Sequence, residues 1–113
     1  MSKILLAEDD HTMVSLLTTL LKMEGFEVVV LDVRSDVPSA VVNERPDVLL
    51  MDVHLGGQNG MDIVQMVREN PASKNVNIVM TSGLNLKDEC LKRGANHFLL
   101  KPFMPDDLIG LLK

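Results

Sequence analysis

The sequence predicts a doubly wound α/β domain in which a five-stranded parallel sheet is covered by five helices. Two observations carry this expectation. Short aliphatic runs alternate with longer segments whose apolar residues recur every three or four positions, and parallel strands require such helical crossovers. Acidic, basic and hydroxyl residues then stand where those runs end, which is where open α/β sheets bind ligands. A length of 113 residues suits a single domain, 1–113, and an apolar content of 46% is enough for a sizeable core.

Each element has its own signal. Ile4-Leu5-Leu6-Ala7 reads as a strand buried on both faces. Met13, Leu16, Leu17, Leu20 and Leu21 fall on one helical face; this helix starts at a cap on Asp10 or Thr12 and ends near Gly25. Val28 to Leu31 is the second strand. Ser35 or Asp36 caps a short helix that tolerates Pro38 in its first turn, and Arg45-Pro46-Asp47 breaks it. Val48 to Val53 is the most hydrophobic strand, followed by the loop Gly56-Gly57-Gln58-Asn59-Gly60. A helix from about Met61 to Asn70, a strand from Val76 to Thr81 and a helix from about Leu86 to Arg93 come next. Gly94 stands where a glycine ends a helix. A last strand, His97 to Leu100, meets Lys101-Pro102, and a short helix begins near Asp106. No repeat or low-complexity stretch interrupts the pattern.

Composition narrows the function. With no Trp or Tyr and three Phe, the core must be filled by Leu, Val, Ile and Met. The net charge of −5 argues against direct nucleic-acid binding, which needs clustered Lys and Arg. The lone Cys90 excludes an intramolecular disulfide, suits a reducing cytoplasm, and reads as a small hydrophobe on a helix. No apolar run approaches the roughly 20 residues of a membrane span. The start, Met1-Ser2-Lys3-Ile4, lacks the features of a signal peptide, so a soluble cytoplasmic domain is expected.

The strand ends carry the chemistry. Strand one ends in Glu8-Asp9-Asp10, strand three in Asp52, strand four in Thr81-Ser82-Gly83 and strand five in Lys101. Neighbouring carboxylates repel unless a cation neutralises them, and an oxygen-only ligand set suits Mg²⁺. Lys101 offers a point charge for a phosphoryl oxygen, Ser82 a hydrogen bond, and Gly83 room for close approach to the backbone. Asp52, ending the central strand, is the natural nucleophile. Taken singly, these residues read as a helix cap, turn residues and a surface loop; together, at successive strand ends, they read as one site.

The set resembles the receiver domains of response regulators. The likeness runs from Ile4-Leu5-Leu6-Ala7-Glu8-Asp9-Asp10 through Pro46-Asp47-Val48-Leu49-Leu50-Met51-Asp52 and Ile78-Val79-Met80-Thr81-Ser82-Gly83 to Gly94-Ala95 and Lys101-Pro102-Phe103. The resemblance implies a flavodoxin-like sheet of order 2-1-3-4-5. It implies Asp52 as phosphoacceptor, Asp9 as direct Mg²⁺ ligand, Glu8 as its water-mediated partner, and the His54 backbone carbonyl as a further ligand. Ser82 and Lys101 would contact the phosphoryl group, the Lys101–Pro102 bond would be cis, and Phe98 would be an aromatic switch, or else plain core packing. The donor would be a histidine kinase or histidine phosphotransfer protein. The readout would be an output domain or downstream protein on the face of the fourth helix, fifth strand and fifth helix, with a homodimer as one use of it. The chain would be no enzyme beyond taking part in its own phosphorylation and dephosphorylation.

Several positions depart from the family pattern. The span from Ser82 to Gly94 is short by roughly one helical turn, which trims the fourth helix. The last helix is brief as well. Gly56 replaces a frequent Pro, His54 and Leu84 flank the site where an influence on hydrolysis is expected, and His11 reads as an exposed helix-start residue, or else as a group close enough to the acidic cluster to support it. A binding-only receiver would lack an acidic-pair residue, Asp52 or Lys101, and all are present. A haloacid-dehalogenase-type phosphatase would want Asp-x-Asp after the first strand, whereas Asp52-Val53-His54 follows the third. A flavodoxin-like cofactor protein would want a hydroxyl-rich loop after strand one and an aromatic residue to stack on flavin.

Overall fold

The computed structural model describes residues 2–32 and 34–112. Its elements are β1 (Lys3–Ala7), α1 (His11–Met23), β2 (Glu27–Leu31), α2 (Val37–Glu44), β3 (Val48–Asp52), β4 (His54–Leu55), β5 (Gln58–Asn59), α3 (Gly60–Glu69), β6 (Asn77–Ser82), α4 (Lys87–Arg93), β7 (His97–Leu100) and α5 (Pro105–Leu112). Five strands form one parallel sheet in the order β2-β1-β3-β6-β7, the order the family resemblance implies.

Alternation along the strands builds two cores from one sheet. Leu5, Ala7, Leu49, Met51, Ile78 and Met80 point toward α2, α3 and α4, where Val37, Val41, Val64, Val67 and Cys90 cover them. Ile4, Leu6, Val48, Leu50 and Val79 point the other way, under Leu17 and Leu21 of α1 and Leu108 of α5. Both faces are thus removed from water, which is why these strands read as continuous apolar runs. Each fully buried Leu, Ile or Val contributes roughly 1.5–3 kcal/mol, offset in large part by the entropy of ordering the chain.

Caps set the helix starts. Asp10, not Thr12, caps α1, its Oδ1 accepting from the N–H groups of Thr12 (3.0 Å) and Met13 (3.2 Å). Asp36, not Ser35, caps α2, with Pro38 in the first turn. The helix α5 begins one residue earlier than expected, at Pro105, which suits a first-turn position.

The Gly- and Asn-rich segment after β3 is more ordered than a plain loop. His54 pairs with Asn59 and Leu55 with Gln58 in a small antiparallel hairpin, which turns through Gly56 at φ +58°. Leu55 is fully buried and holds the hairpin onto the core. Gly60 then opens α3, and only glycine fits there: a Cβ would stand 2.7 Å from the Asp52 carbonyl oxygen and 2.9 Å from Val53 Cα. The shortness expected of the fourth helix is observed, since α4 has seven residues.

Candidate functional site

The chain leaves β1 toward β2 on one side and returns to β3 on the other, so strand order reverses between β1 and β3. Their carboxyl ends diverge into a crevice at that point. Glu8 and Asp9 lie at the end of β1 and Asp52 at the end of β3. Carboxylate oxygens from all three lie within 4.8 Å of one another. Glu8 and Asp52 are buried, whereas Asp9 is exposed.

Lys101 joins the cluster from the far side of the sheet. Its N–H donates to Ser82 O (2.8 Å), which extends the β6–β7 pairing by one step, and its side chain reaches back across the strand ends. Nζ donates to Asp52 Oδ2 and to Glu8 Oε1, each at 2.6 Å. The Lys101–Pro102 bond is cis, and Phe103 packs against the core under α1 and α5.

The remaining carboxylate oxygens are held by backbone. Glu8 Oε2 accepts from Asp9 N–H (2.9 Å) and Asp10 N–H (3.3 Å). Asp52 Oδ1 accepts from His54 N–H (3.0 Å), and Asp9 Oδ2 from Gly56 N–H (3.2 Å). Each carboxylate thus has its geometry set by a loop amide, and charge-assisted bonds of this kind are the stronger ones.

Burial and charge compete here. Burial pushes the Glu8 carboxyl up, against the hydrogen bond and charge of Lys101 and the Asp10 N–H, which pull it down. Burial also works to lower the Lys101 ammonium. The hydrogen bonds and charges of Asp52 and Glu8 outweigh it, so Lys101 is held above its ordinary value and stays charged. This ammonium is the cation that offsets carboxylate repulsion.

The other expected residues fall around this cluster. Ser82 is buried one position beyond Thr81, the register partner of Asp52, and its Oγ accepts from Leu84 N–H (3.1 Å). A Cβ on Gly83 would meet nothing within 4 Å, so the space beside the backbone is open there. The His54 side chain is exposed while its backbone faces Asp52. Phe98 is half-buried on β7 and packs against the core under α3 and α4. His11 is exposed at the start of α1 and lines a surface cavity together with Glu8 and Asp9.

The donor set fits a divalent hard cation: three carboxylates converge, all ligating atoms are oxygens, and one ligand is open to solvent. A model of the response regulator receiver domain matches residues 4–113. The chain belongs to that family.

Relatives of this receiver domain agree with the assignment. The chain is 35% identical over 114 residues to the DNA-binding response regulator MtrA of Mycolicibacterium smegmatis, covering 98% of this chain and 49% of that protein. It is 32% identical to the transcriptional regulatory protein CpxR of Klebsiella pneumoniae, over 100% of this chain and 48% of that one. The chain spans about half the length of the curated relatives it matches. Among solved structures, the chemotaxis response regulator CheY4 of Vibrio cholerae superposes with a TM-score of 0.88 at 29% identity, covering 99% and 96% of the two chains. The receiver domain of the sensor histidine kinase PA1611 from Pseudomonas aeruginosa PAO1 superposes with a TM-score of 0.86 at 27% identity, covering 98% and 93%. In that structure a magnesium ion is coordinated in the active-site cleft.

Sequence reasoning missed two supports of the site. Gly60 lets α3 start directly against the Asp52 carbonyl, with its N–H donating to Val53 O (2.6 Å). The β4–β5 hairpin presents the amides of His54 and Gly56 to two of the carboxylates. The density of glycines between Gly56 and Gly60 is the signal that could have exposed both.

Proposed function

We propose that this receiver domain, taken as residues 1–113, accepts a phosphoryl group on Asp52. The bridge from Lys101 Nζ to both Asp52 and Glu8 carries this reading. A cation so held would stabilise charge building on a transferring phosphoryl oxygen.

Glu8, Asp9, Asp52 and the His54 carbonyl would hold Mg²⁺, Asp9 directly and Glu8 through water. When bound, Mg²⁺ supplies Lewis-acid stabilisation of phosphoryl oxygens and neutralises the acidic cluster. An Asp52 carboxylate oxygen attacks the phosphorus of a phosphohistidine, the P–N bond breaks, and the imidazole leaves with the electron pair. The new acyl phosphate carries oxygens to which Lys101 and Ser82 donate. Water later attacks, giving inorganic phosphate and restoring the Asp52 carboxylate. The chain is therefore a signalling domain that takes part in its own phosphorylation and dephosphorylation rather than an enzyme acting on a separate substrate.

Contacts made only to the acyl phosphate shift an existing conformational equilibrium, and Phe98 on β7 follows it. The donor is a histidine kinase or histidine phosphotransfer protein. The readout is an output domain or downstream protein, or a second copy of this chain, on the face of α4, β7 and α5. MtrA is a DNA-binding response regulator as a whole protein; residues 1–113, with a net charge of −5, are not proposed to touch nucleic acid themselves. Among the described residues no helix is long and apolar enough to cross a membrane, and we place the domain in the cytoplasm.

The test is intact mass after incubation with acetyl phosphate and Mg²⁺. A gain of about 80 Da, the mass of one added phosphoryl group, supports the reading if Asp52→Asn and EDTA both abolish it. Transfer from a phosphohistidine donor decides the matter if acetyl phosphate is a poor donor, and failure of both refutes it.

A further inference from the structure

The turn that joins β4 to β5 is tied to the acidic cluster across the crevice. Gly56 N–H donates to Asp9 Oδ2 at 3.2 Å, although the two residues are 47 positions apart. The feet of the hairpin are fixed elsewhere. Leu55 is fully buried in the core, Asn59 Oδ1 accepts from Met61 N–H (2.9 Å) at the start of α3, and Gly60 N–H donates to Val53 O (2.6 Å). The tip, Gly56-Gly57, is exposed, and a Cβ on Gly57 would meet nothing within 4 Å.

The three carboxylates are not held alike. Glu8 and Asp52 are buried, and each has both oxygens engaged, one by Lys101 and the other by loop amides. Asp9 is exposed, and among the described residues its side chain is held only through Oδ2, by Gly56. An exposed carboxylate without such a partner samples several rotamers, and ordering it costs free energy when a cation binds.

The bond needs the backbone that glycine supplies. Gly56 lies at φ +58°, in the left-handed region. A proline there would have no N–H to give, and its ring holds φ near about −65°, so neither the donor nor the turn would survive. This is the position at which the sequence departs from the proline frequent in the family.

We propose that Gly56 is a positioning residue for Mg²⁺: its amide pre-orients Asp9, and metal binding in turn orders the hairpin tip. The inference rests on the Mg²⁺ reading given above and adds the residue that prepares its exposed ligand. The coupling is reciprocal, because an amide that favours the metal-bound arrangement of Asp9 is itself favoured by the metal. Groups that orient ligands from outside the coordination shell commonly control affinity in this way.

The experiment combines calorimetric Mg²⁺ titration with amide hydrogen exchange measured by NMR on the whole chain. Gly56→Pro is expected to weaken Mg²⁺ binding by about fivefold or more. Gly56→Asn, which keeps the N–H and tolerates the left-handed region, is expected to stay within about twofold of wild type. Gly57→Ala, next in the same turn, should do so as well. A second measurement separates the hydrogen bond from any distortion that proline brings. In metal-free protein, Asp9→Ala should speed exchange at the Gly56 amide by about fivefold or more, while the His54 amide, bonded to Asp52, changes by less than about twofold. Mg²⁺ should slow exchange at Gly56 in the wild type. Equal affinity of wild type and Gly56→Pro, or a loss in Gly56→Asn as large as in Gly56→Pro, overturns the positioning role. Exchange at Gly56 that ignores Asp9→Ala does the same. Wild-type protein that takes up no Mg²⁺ overturns the metal reading, and this proposal with it.

Discussion

Lys101 Nζ stands 2.6 Å from Asp52 Oδ2, although the two residues are 49 positions apart and at the ends of strands separated by β6. The same nitrogen holds Glu8 at an equal distance. One ammonium thus pairs with two buried carboxylates and offsets part of their mutual repulsion.

Removing that ammonium should expose the repulsion it offsets. Lys101→Met leaves two carboxylates, 4% and 11% exposed as side chains, without their cation. A loss of about 1–3 kcal/mol is expected without metal, recovered in part by Mg²⁺. Urea unfolding followed by circular dichroism measures it, since the chain has no Trp or Tyr to report by fluorescence. Unchanged stability in EDTA would show that Lys101 does not bear this role.

Metal affinity should depend on the acidic cluster and on nothing across the molecule. Asp9→Asn and Glu8→Gln are each expected to weaken Mg²⁺ binding by roughly tenfold or more in calorimetric titration. Asp36→Asn, which alters only the α2 cap, should leave the isotherm unchanged. Equal weakening by all three variants would point to nonspecific charge.

Gly60 and Gly83 should respond oppositely to a methyl group. Gly60→Ala drives a Cβ to 2.7 Å from backbone that cannot retreat without moving Asp52, so a cost of about 1–3 kcal/mol is expected. Gly83→Ala meets nothing and should stay within roughly 0.5 kcal/mol of wild type. Melting curves on both variants decide it.

Cys90 should be chemically silent in the folded protein. It is 1% exposed, and burial with the neighbouring Glu89 charge pushes its thiol up. Its reaction with a disulfide reagent is expected to follow unfolding across a urea series. Rapid reaction in native buffer would show that α4 opens readily in its middle.

The sequence was most legible where physics is periodic or local. Runs such as Leu49-Leu50-Met51 could only be strands buried on both faces, and the positions of Glu8, Asp52 and Lys101 at strand ends placed them in one crevice before any distance was known. Contacts between distant segments were opaque. Nothing near Arg68 announces that its guanidinium collects oxygens from two other segments, 74–76 and 94–96, because those partners lie up to 28 positions away. The β4–β5 hairpin was read as loop because two-residue strands have no period to detect. The choice between Asp36 and Ser35 as cap turned on one bond from backbone to side chain, Ser39 N–H to Asp36 Oδ1.

The most direct test is where the phosphoryl group goes. Borohydride reduces an aspartyl phosphate to homoserine at the modified position, so peptide mass mapping after acetyl phosphate, Mg²⁺ and borohydride locates the acceptor. Homoserine at position 52, absent when Lys101 is replaced by Met or when EDTA is present, is the predicted result. Homoserine at Asp9 or Asp10 with Asp52 intact would contradict the account at its centre.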